Sequence, residues 1–233
     1  MENLYQKLTE DIRFVEGMNA CINCGTCTAI CPAAQFYDYD PRMVVDTVQH
    51  KNDKEIEYLL KSDTIWQCGE CLSCKTRCPR NNVPGYIIQA LRALSTELGY
   101  FAESEKGRQQ LALKRTIGEH ILKHGYCVYI DEVNTEMYPE QGPVWDWMQK
   151  NATPLLKRLG ANYKQDGAGT LRNTSKESLD DLQRIFDITG ATERFNKIEH
   201  YSKLKSEELG ITFDEGLNND YFKSIYNSKS DII

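Results

Sequence analysis

The chain has 233 residues, of which 40% are hydrophobic, and 34 acidic against 28 basic side chains give a net charge of −6. This length is enough to bury a sizeable core. The acidic balance argues against a nucleic-acid backbone or an anionic membrane surface as the main partner. The first 16 residues mix charged with apolar side chains, and no apolar run approaches the length that spans a bilayer. We therefore expect a soluble, cytoplasmic protein whose cysteines stay reduced.

The first predicted element is an amphipathic helix over residues 3–16, which leads into the first of two cysteine runs. Pro41 and Asp53 begin two short helices between the runs. Pro84 suits the first turn of a longer helix, whose apolar residues recur at helical intervals until Gly99.

The C-terminal half predicts a mainly helical extension. One helix is expected over residues 104–124, and residues 126–130 form the only run with strand character, which allows one short hairpin. Thr174 and Glu177 fit a capping box at the start of a further helix. The tail from residue 214 is expected to be weakly ordered, although its YFKSIY segment could equally dock a partner subunit.

Eight of the nine cysteines fall into two copies of one pattern, CINCGTCTAICP at residues 21–32 and CGECLSCKTRCP at residues 68–79. Each copy is C-x2-C-x2-C-x3-C-P, the ligand spacing of two-cluster ferredoxins, in which the fourth cysteine ligates the other [4Fe–4S] cluster. The predicted ligands are Cys21, Cys24, Cys27 and Cys78 for cluster one, and Cys68, Cys71, Cys74 and Cys31 for cluster two.

Zinc is the competing metal for clustered cysteines. Structural zinc sites take four ligands, usually as two separated pairs, and this doubled pattern exceeds that number. A zinc-binding scaffold therefore stays only as an alternative. With all eight thiolates used as ligands, no iron is open to a substrate, so we expect the clusters to carry electrons and not to perform chemistry. Gly25 and Gly69 are expected to let the backbone approach the cluster sulfur.

The 36 residues between Cys31 and Cys68 predict helices, whereas compact bacterial ferredoxins join their runs by hairpin turns. The chain thus resembles the α-helical ferredoxin domain in the iron–sulfur subunits of succinate dehydrogenase and fumarate reductase. More closely, residues 1 to about 200 resemble the C subunit of heterodisulfide reductase. This resemblance rests on the length, on the LSCKTRCPRNNVPGYIIQALR continuation and on the SLDDLQRIFDITGATERF segment.

The resemblance implies a mostly α fold, with an α-helical ferredoxin domain over residues 1–100 and a helical extension over residues 101–233 that docks subunits. It also implies electron transfer between a flavin-containing subunit and a catalytic subunit that carries Cys-Cys-Gly motifs. This chain has no adjacent cysteine pair and no G-x-G-x-x-G fingerprint, so flavin and disulfide chemistry are expected on partners. An iron–sulfur subunit of another dehydrogenase, of the succinate or glycerol-3-phosphate type, is the alternative.

Basic residues distinguish the two runs. The second run contains Lys75 and Arg77 and is followed by Arg80, whereas the spacers of the first run are neutral. Positive charge near a cluster favours its reduced form, so we expect cluster two to have the higher potential. The competing interpretation is that these side chains lie in solvent or contact a partner.

Five other residues have weaker signals. Cys127 is expected to be a small buried hydrophobe, because no second thiol lies near it in sequence. His120 and His124 are four residues apart, and a solvated or helix-capping role is favoured over a metal pair. Trp145 and Trp147 are expected to pack in the core, with partner contact as the alternative.

Overall fold

The computed structural model describes residues 3–226, apart from the side chains of Glu140 and Tyr226. The regular structure of these residues is helical, as predicted, and the described part contains no strand. The α-helices are α1 Leu4–Glu10, α2 Ile12–Gly17, α3 Thr26–Ala29, α4 Pro41–Gln49, α5 Asp53–Lys61, α6 Pro84–Glu97, α7 Glu105–Arg108, α8 Gln110–Leu113, α9 Glu119–His124, α10 Gly142–Lys150, α11 Ala152–Arg158, α12 Lys176–Ile188, α13 Ala191–Leu209 and α14 Asp220–Tyr226.

The chain divides into two compact units. The first comprises the residues up to Gln110 together with those from Asn196 onward, and the second comprises Leu111–Phe195. The sequence-based boundary lay at residue 100, with all later residues in one extension. In the structure the described residues from Asn196 to Tyr226 belong to the first unit.

The predicted helix over residues 3–16 is two helices, α1 and α2. Asp11 lies between them, and its Oδ1 atom accepts a hydrogen bond from the Arg13 N–H at 2.9 Å. An aspartate in this position caps a new helix and does not continue the old one. Similarly, Asp40 accepts hydrogen bonds from the first N–H groups of α4, whose first residue is Pro41.

The core of the first unit is built from the apolar faces of α1, α2, α4, α5 and α6. Its fully buried side chains include Val48, Ile56 and Leu91. Cys21, Cys31 and Cys68 are partly buried against this core. Cysteines from both runs therefore pack against the same hydrophobic core, which the helices form.

The last part of the first unit is also packed. Tyr201 of α13 lies edge to face with Phe101, with ring centroids 6.5 Å apart. Tyr221, Phe222 and Ile225 of α14 are buried. The tail that we expected to be weakly ordered thus includes a helix with a buried face, and three side chains of the YFKSIY segment, Tyr221, Phe222 and Ile225, contribute to the unit's own packing. Residues 227–233 lie outside the described residues.

In the second unit, the predicted strand over residues 126–130 is wrong. The Tyr129 ring stacks on His124 with centroids 4.1 Å apart, and it also lies near the ring of Tyr163. The Ile130 carbonyl accepts a hydrogen bond from the Gln149 side chain at 2.9 Å. Tyr129 and Ile130 are buried in a small aromatic core of turns, so these strand-forming side chains pack without a ladder partner.

Two predicted helix boundaries also change. The segment over residues 104–124 is broken into short helices with one π-helical turn, Lys114–Gly118, before α9. At α12, Ser175 and not Thr174 is the N-cap, because its Oγ accepts from the Ser178 N–H at 3.2 Å. Thr174 instead donates its hydroxyl to the His124 carbonyl at 2.7 Å.

Candidate metal centre

The sequence repeat of the two cysteine runs is also a repeat of backbone geometry. Asn23 and Glu70 occupy equivalent positions and both adopt left-handed φ angles, 57° and 53°. Each donates its backbone N–H to the sulfur of the first cysteine of its run, Cys21 or Cys68, at 3.4 Å. Both loops therefore begin by folding around their own first thiol.

The next left-handed position is Gly25 in the first loop, with φ of 77°, and Leu72 in the second, with φ of 57°. A leucine in this region costs about 1–2 kcal/mol relative to a relaxed backbone. A glycine therefore suits position 25 on conformational grounds, while the approach of its backbone to the cluster sulfur stays a prediction. Gly69 does not have a positive φ.

A hydroxyl group accompanies the second cysteine of each run. The Cys24 sulfur lies 3.4 Å from the Thr26 hydroxyl, and the Cys71 sulfur lies 3.4 Å from the Ser73 hydroxyl. These hydroxyls lower the pKa of Cys24 and of Cys71 because they stabilise the thiolate. Sequence reasoning missed this pair, although the two hydroxyl residues are also 47 positions apart.

One pocket brings together four of the predicted ligands. Cys21, Cys24 and Cys27 of the first run line it with Cys78, the last cysteine of the second run. The empty space at the pocket, including the part open to solvent, is about 370 Å³. These four cysteines are the ones that the sequence predicts as ligands of cluster one, and that ligand set stays a prediction.

Tyr39 lies beside one cysteine of each run. Its hydroxyl is close enough to Cys68 and Cys31 to interact with both thiols, and burial together with these thiols raises the pKa of Tyr39. Cys74 interacts in turn with Cys68 and Cys71. The structure thus places Cys31 of the first run beside the second run.

The two loops also adjoin each other. α3, which carries Cys27, packs against the turn Lys75–Arg77. Cys27 and Cys74 are near enough to interact electrostatically. Burial raises the pKa of Cys27 to about 11 and also raises that of Cys74. These half-buried thiols are therefore protonated near neutral pH until a metal displaces the proton.

Side chains from the helices hold the first cysteine of each run. Gln49 at the end of α4 accepts from the Cys21 N–H at 2.5 Å and donates to the Cys21 carbonyl at 3.3 Å. Arg92 of α6 donates to the Cys68 carbonyl at 2.6 Å and to the Ile65 carbonyl at 2.7 Å. No local sequence pattern indicated either contact.

Basic residues lie at both sites. Arg42 and Arg80 line the first pocket, and the Arg80 Nε donates to the Ala20 carbonyl at 3.3 Å. Lys75 lies over the Tyr86 ring, 5.3 Å from its centroid. The sequence-based charge comparison counted Arg80 with the second cluster. Its position beside Cys78 at the first pocket makes the charge difference between the sites smaller than expected.

The donor set fits an iron–sulfur cluster. Asn82 lines the first pocket, and its amide nitrogen is buried without a hydrogen bond to a described residue. The Tyr39 hydroxyl is also buried, and its contact with Cys68 does not meet strict hydrogen-bond geometry. A group with sulfur acceptors beside the cysteines would satisfy both donors.

Three weaker sequence-based expectations have different outcomes. Cys127 is exposed, so its predicted burial is wrong. His120 is buried and therefore not solvated, and burial lowers its pKa. His124 lies near the C-terminus of α9, and its Nε2 contacts Glu132 Oε1 at 2.9 Å.

The two tryptophans differ from each other. The Trp145 ring packs against the small core of the second unit and donates its N–H to the Val133 carbonyl at 2.8 Å. Trp147 is 56% exposed. Core packing is therefore confirmed for Trp145 and wrong for Trp147.

Residues 17–82 match the family model described as a 4Fe-4S dicluster domain. Together with the helical fold and the doubled thiol set, this match defines an α-helical ferredoxin that binds two [4Fe–4S] clusters. The predicted mostly α fold and cofactors are confirmed.

The chain is also similar to named proteins over most of its length. It is 36% identical over 195 residues to the C subunit of the ferredoxin:CoB-CoM heterodisulfide reductase of Methanosarcina acetivorans, covering 84% of this chain and 70% of the relative. It is 30% identical over 202 residues to the iron-sulfur C subunit of the CoB–CoM heterodisulfide reductase of Methanopyrus kandleri, covering 87% and 80%. The chain therefore belongs to the family of heterodisulfide reductase C subunits, as its sequence indicated.

Membership in this family makes the chain an iron–sulfur, electron-transfer subunit of a multi-subunit complex. A third relative, the C subunit of the H(2):CoB-CoM heterodisulfide,ferredoxin reductase of Methanothermobacter marburgensis, is 27% identical over 200 residues, covering 81% of this chain and 88% of the relative. Among the described helices, none combines the length and the apolar character that a membrane crossing requires.

Proposed function

We propose that the chain is a two-step electron conductor whose clusters are held by crossed ligand sets. In this proposal cluster one is bound by Cys21, Cys24, Cys27 and Cys78, and cluster two by Cys68, Cys71, Cys74 and Cys31. Each bound cluster supplies a one-electron couple. The protein holds the couples at fixed separation and excludes other ligands by using a cysteine at every iron.

The observation that carries this proposal is the composition of the first pocket. Three thiols of one run and the last thiol of the other run line it together, although Cys78 is separated from Cys27 by most of the helical core. The Tyr39 environment supports the reciprocal set, because Cys31 and Cys68 lie beside the same hydroxyl. Crossing the ligands also ties the two loops together, so each cluster stabilises both runs.

The exposure of the cysteines suggests the direction in which each cluster faces. Cys24 and Cys71 are exposed, whereas Cys27 and Cys74 are half-buried and near each other. We propose that partners exchange electrons at the Cys24 and Cys71 sides. The internal step then runs between the Cys27 and Cys74 sides.

The partners follow from the family. The named relatives are subunits of reductases for the CoB-CoM heterodisulfide. We propose that this chain receives electrons from or delivers them to a flavin-containing subunit and a catalytic subunit with Cys-Cys-Gly motifs, with the reducible substrate a disulfide bound to that catalytic subunit. The cytoplasm suits thiol ligands that must stay reduced before the clusters form. Docking of subunits by the residues beyond the cysteine core remains part of this proposal.

The ligand sets are tested with single cysteine-to-serine variants purified without oxygen. EPR-monitored redox titration of Cys24→Ser identifies the signal of cluster one, and Cys71→Ser identifies that of cluster two. The crossed arrangement predicts that Cys78→Ser alters the same signal as Cys24→Ser, and that Cys31→Ser alters the same signal as Cys71→Ser. The opposite pairing would refute crossing while leaving two clusters in place.

The complex is tested separately with the tagged full chain expressed in its native host. Co-purification of a flavoprotein and of a Cys-Cys-Gly protein is expected, together with dithiol formation from a disulfide substrate when the flavoprotein is reduced. Recovery of a succinate- or glycerol-phosphate-oxidising flavoprotein would assign the chain to another complex.

A further inference from the structure

Tyr39 is a buried hydroxyl donor at the second cluster site. Only 3% of the residue is exposed, and the neighbouring Asp40 is fixed as the N-cap of α4. The hydroxyl makes a loose hydrogen bond to Cys68 and lies near Cys31, although neither contact meets strict hydrogen-bond geometry. The acceptor beside this buried donor is therefore the sulfur of a predicted cluster ligand.

Asn82 is the corresponding donor at the first site. Its residue exposure is 2%, and it lies in the lining of the pocket with Cys21, Cys24, Cys27 and Cys78. The Asn82 backbone N–H donates to the Cys78 sulfur at 3.3 Å.

The orientation of the Asn82 amide is determined by its other contact. Asn82 Oδ1 accepts from the Asn19 N–H at 2.6 Å, so the oxygen is the atom on that side. The amide nitrogen is consequently the unpaired atom, and it is buried. An amide nitrogen can only donate, which again requires an acceptor within the site.

We propose that Tyr39 and Asn82 are positioning residues that each donate a hydrogen bond to the sulfur of one cluster, Tyr39 to cluster two and Asn82 to cluster one. This proposal rests on the crossed ligand sets given above. Reduction adds negative charge to a cluster, and a hydrogen bond to its sulfur is therefore stronger in the reduced form. Each donor should raise the reduction potential of its own cluster. The potentials of the two clusters are then set by different residues.

The test for Tyr39 compares Tyr39→Phe with Tyr37→Phe, which removes the same hydroxyl from a neighbouring, 45% exposed tyrosine. At a fixed potential the ratio of reduced to oxidised cluster two should fall about tenfold in Tyr39→Phe, equivalent to about 59 mV for a one-electron couple. Cluster one should not move in either variant. A shift of both clusters, or of neither, would overturn the proposal.

A second substitution separates the hydrogen bond from packing. Incorporation of 3-fluorotyrosine at position 39 keeps the hydroxyl and makes it a stronger donor, so the midpoint of cluster two should rise. If the midpoint of cluster two falls both in Tyr39→Phe and in the 3-fluorotyrosine protein, Tyr39 acts only through packing, which would count against the proposal.

The test for Asn82 uses a spectroscopic signature. Protein labelled with ¹⁵N in the asparagine side-chain amide should show a ¹⁵N coupling in the pulsed EPR spectrum of reduced cluster one. The coupling should be absent in Asn82→Asp, which keeps the acceptor for the Asn19 N–H. If labelled wild-type protein shows no amide coupling on cluster one, the Asn82 assignment fails.

These outcomes differ from those that would refute the ligand sets. Suppose that the serine variants show the crossed pairing but the midpoint of cluster two is unchanged in Tyr39→Phe. The two-cluster electron path would then stand, and only the hydrogen bond from Tyr39 would be rejected. Serine variants that pair within each run would instead reject the site on which the proposal is built.

Discussion

Arg92 provides the most direct link between the helical core and the second cysteine run. Its guanidinium donates to the carbonyls of Ile65 and Cys68 at 2.7 and 2.6 Å, and it pairs with Glu70 at 2.5 Å. The side chain is only 18% exposed. We predict that Arg92→Lys destabilises the first unit and loosens cluster two before cluster one.

The magnitude follows from the number of hydrogen bonds. A hydrogen bond to a charged group contributes about 1.5–3 kcal/mol to stability. A lysine ammonium lacks the planar fork of arginine, so it should lose at least one of the two carbonyl contacts. The Glu70 carboxylate is 40% exposed, and we assign its pair no further energy. The expected loss in unfolding free energy is therefore about 1.5–3 kcal/mol.

The assay is urea unfolding of the anaerobic protein followed by circular dichroism, with EPR of each cluster during exposure to an iron chelator. A loss of about 1.4 kcal/mol in local stability corresponds to roughly tenfold faster release of iron from cluster two. Arg184→Lys is the matched control, because its pair with Asp181 is exposed and should change stability by less than about 0.5 kcal/mol. Equal behaviour of the two variants, or earlier loss of cluster one, would refute the reasoning.

Three further predictions concern packing, the ninth cysteine and charge. Gly17→Ala should lower the unfolding free energy by about 1–3 kcal/mol in urea titrations, because the added Cβ would lie only 3.0–3.2 Å from other atoms. Gly69→Ala is the control: a Cβ at that position has no atom within 4 Å, so the unfolding free energy should not fall. Equal free energies for both variants would contradict this. Cys127→Ser should keep the wild-type iron content and both EPR signals, since the thiol is exposed and falls outside the repeated pattern in sequence. Loss of iron would show that it is a ligand. The double variant Lys75→Gln with Arg77→Gln should lower the midpoint of cluster two by up to about 40 mV in redox-titrated EPR, and an unmoved midpoint would assign these charges to solvent or a partner.

The parts of the site that could be predicted are those with a local chemical signature. The cysteine spacing gave the cofactor, and the rule for its fourth position predicted that Cys78 would join the first run, as the lining of the first pocket suggests. Helix α6 was predicted well because Pro84 and Gly99 bracket an uninterrupted apolar stripe.

The contacts that hold the loops could not be predicted in this way. Gln49 and Cys21 are 28 residues apart, and Arg92 and Cys68 are 24 apart, so each contact exists only after the helices have packed. A polar residue on a helix carries no sequence signal for such a distant carbonyl. The strand expected over residues 126–130 failed for a related reason: its aromatic residues found tertiary partners in turns, and tertiary packing outweighed the strand propensity.

The first unit is assembled from two stretches of sequence that lie on either side of residues 111–195. Doubling the length of a flexible connection raises the free-energy cost of loop closure by only about 0.6 kcal/mol. The core of the first unit can therefore tolerate a long insertion, residues 111–195, between its two stretches of sequence. The segment from Asn196 onward contributes Tyr221 and Phe222, which are almost completely buried. A chain cleaved within residues 111–195 should therefore give two complementary fragments. The C-terminal fragment would be needed to rebuild the unit that carries the clusters.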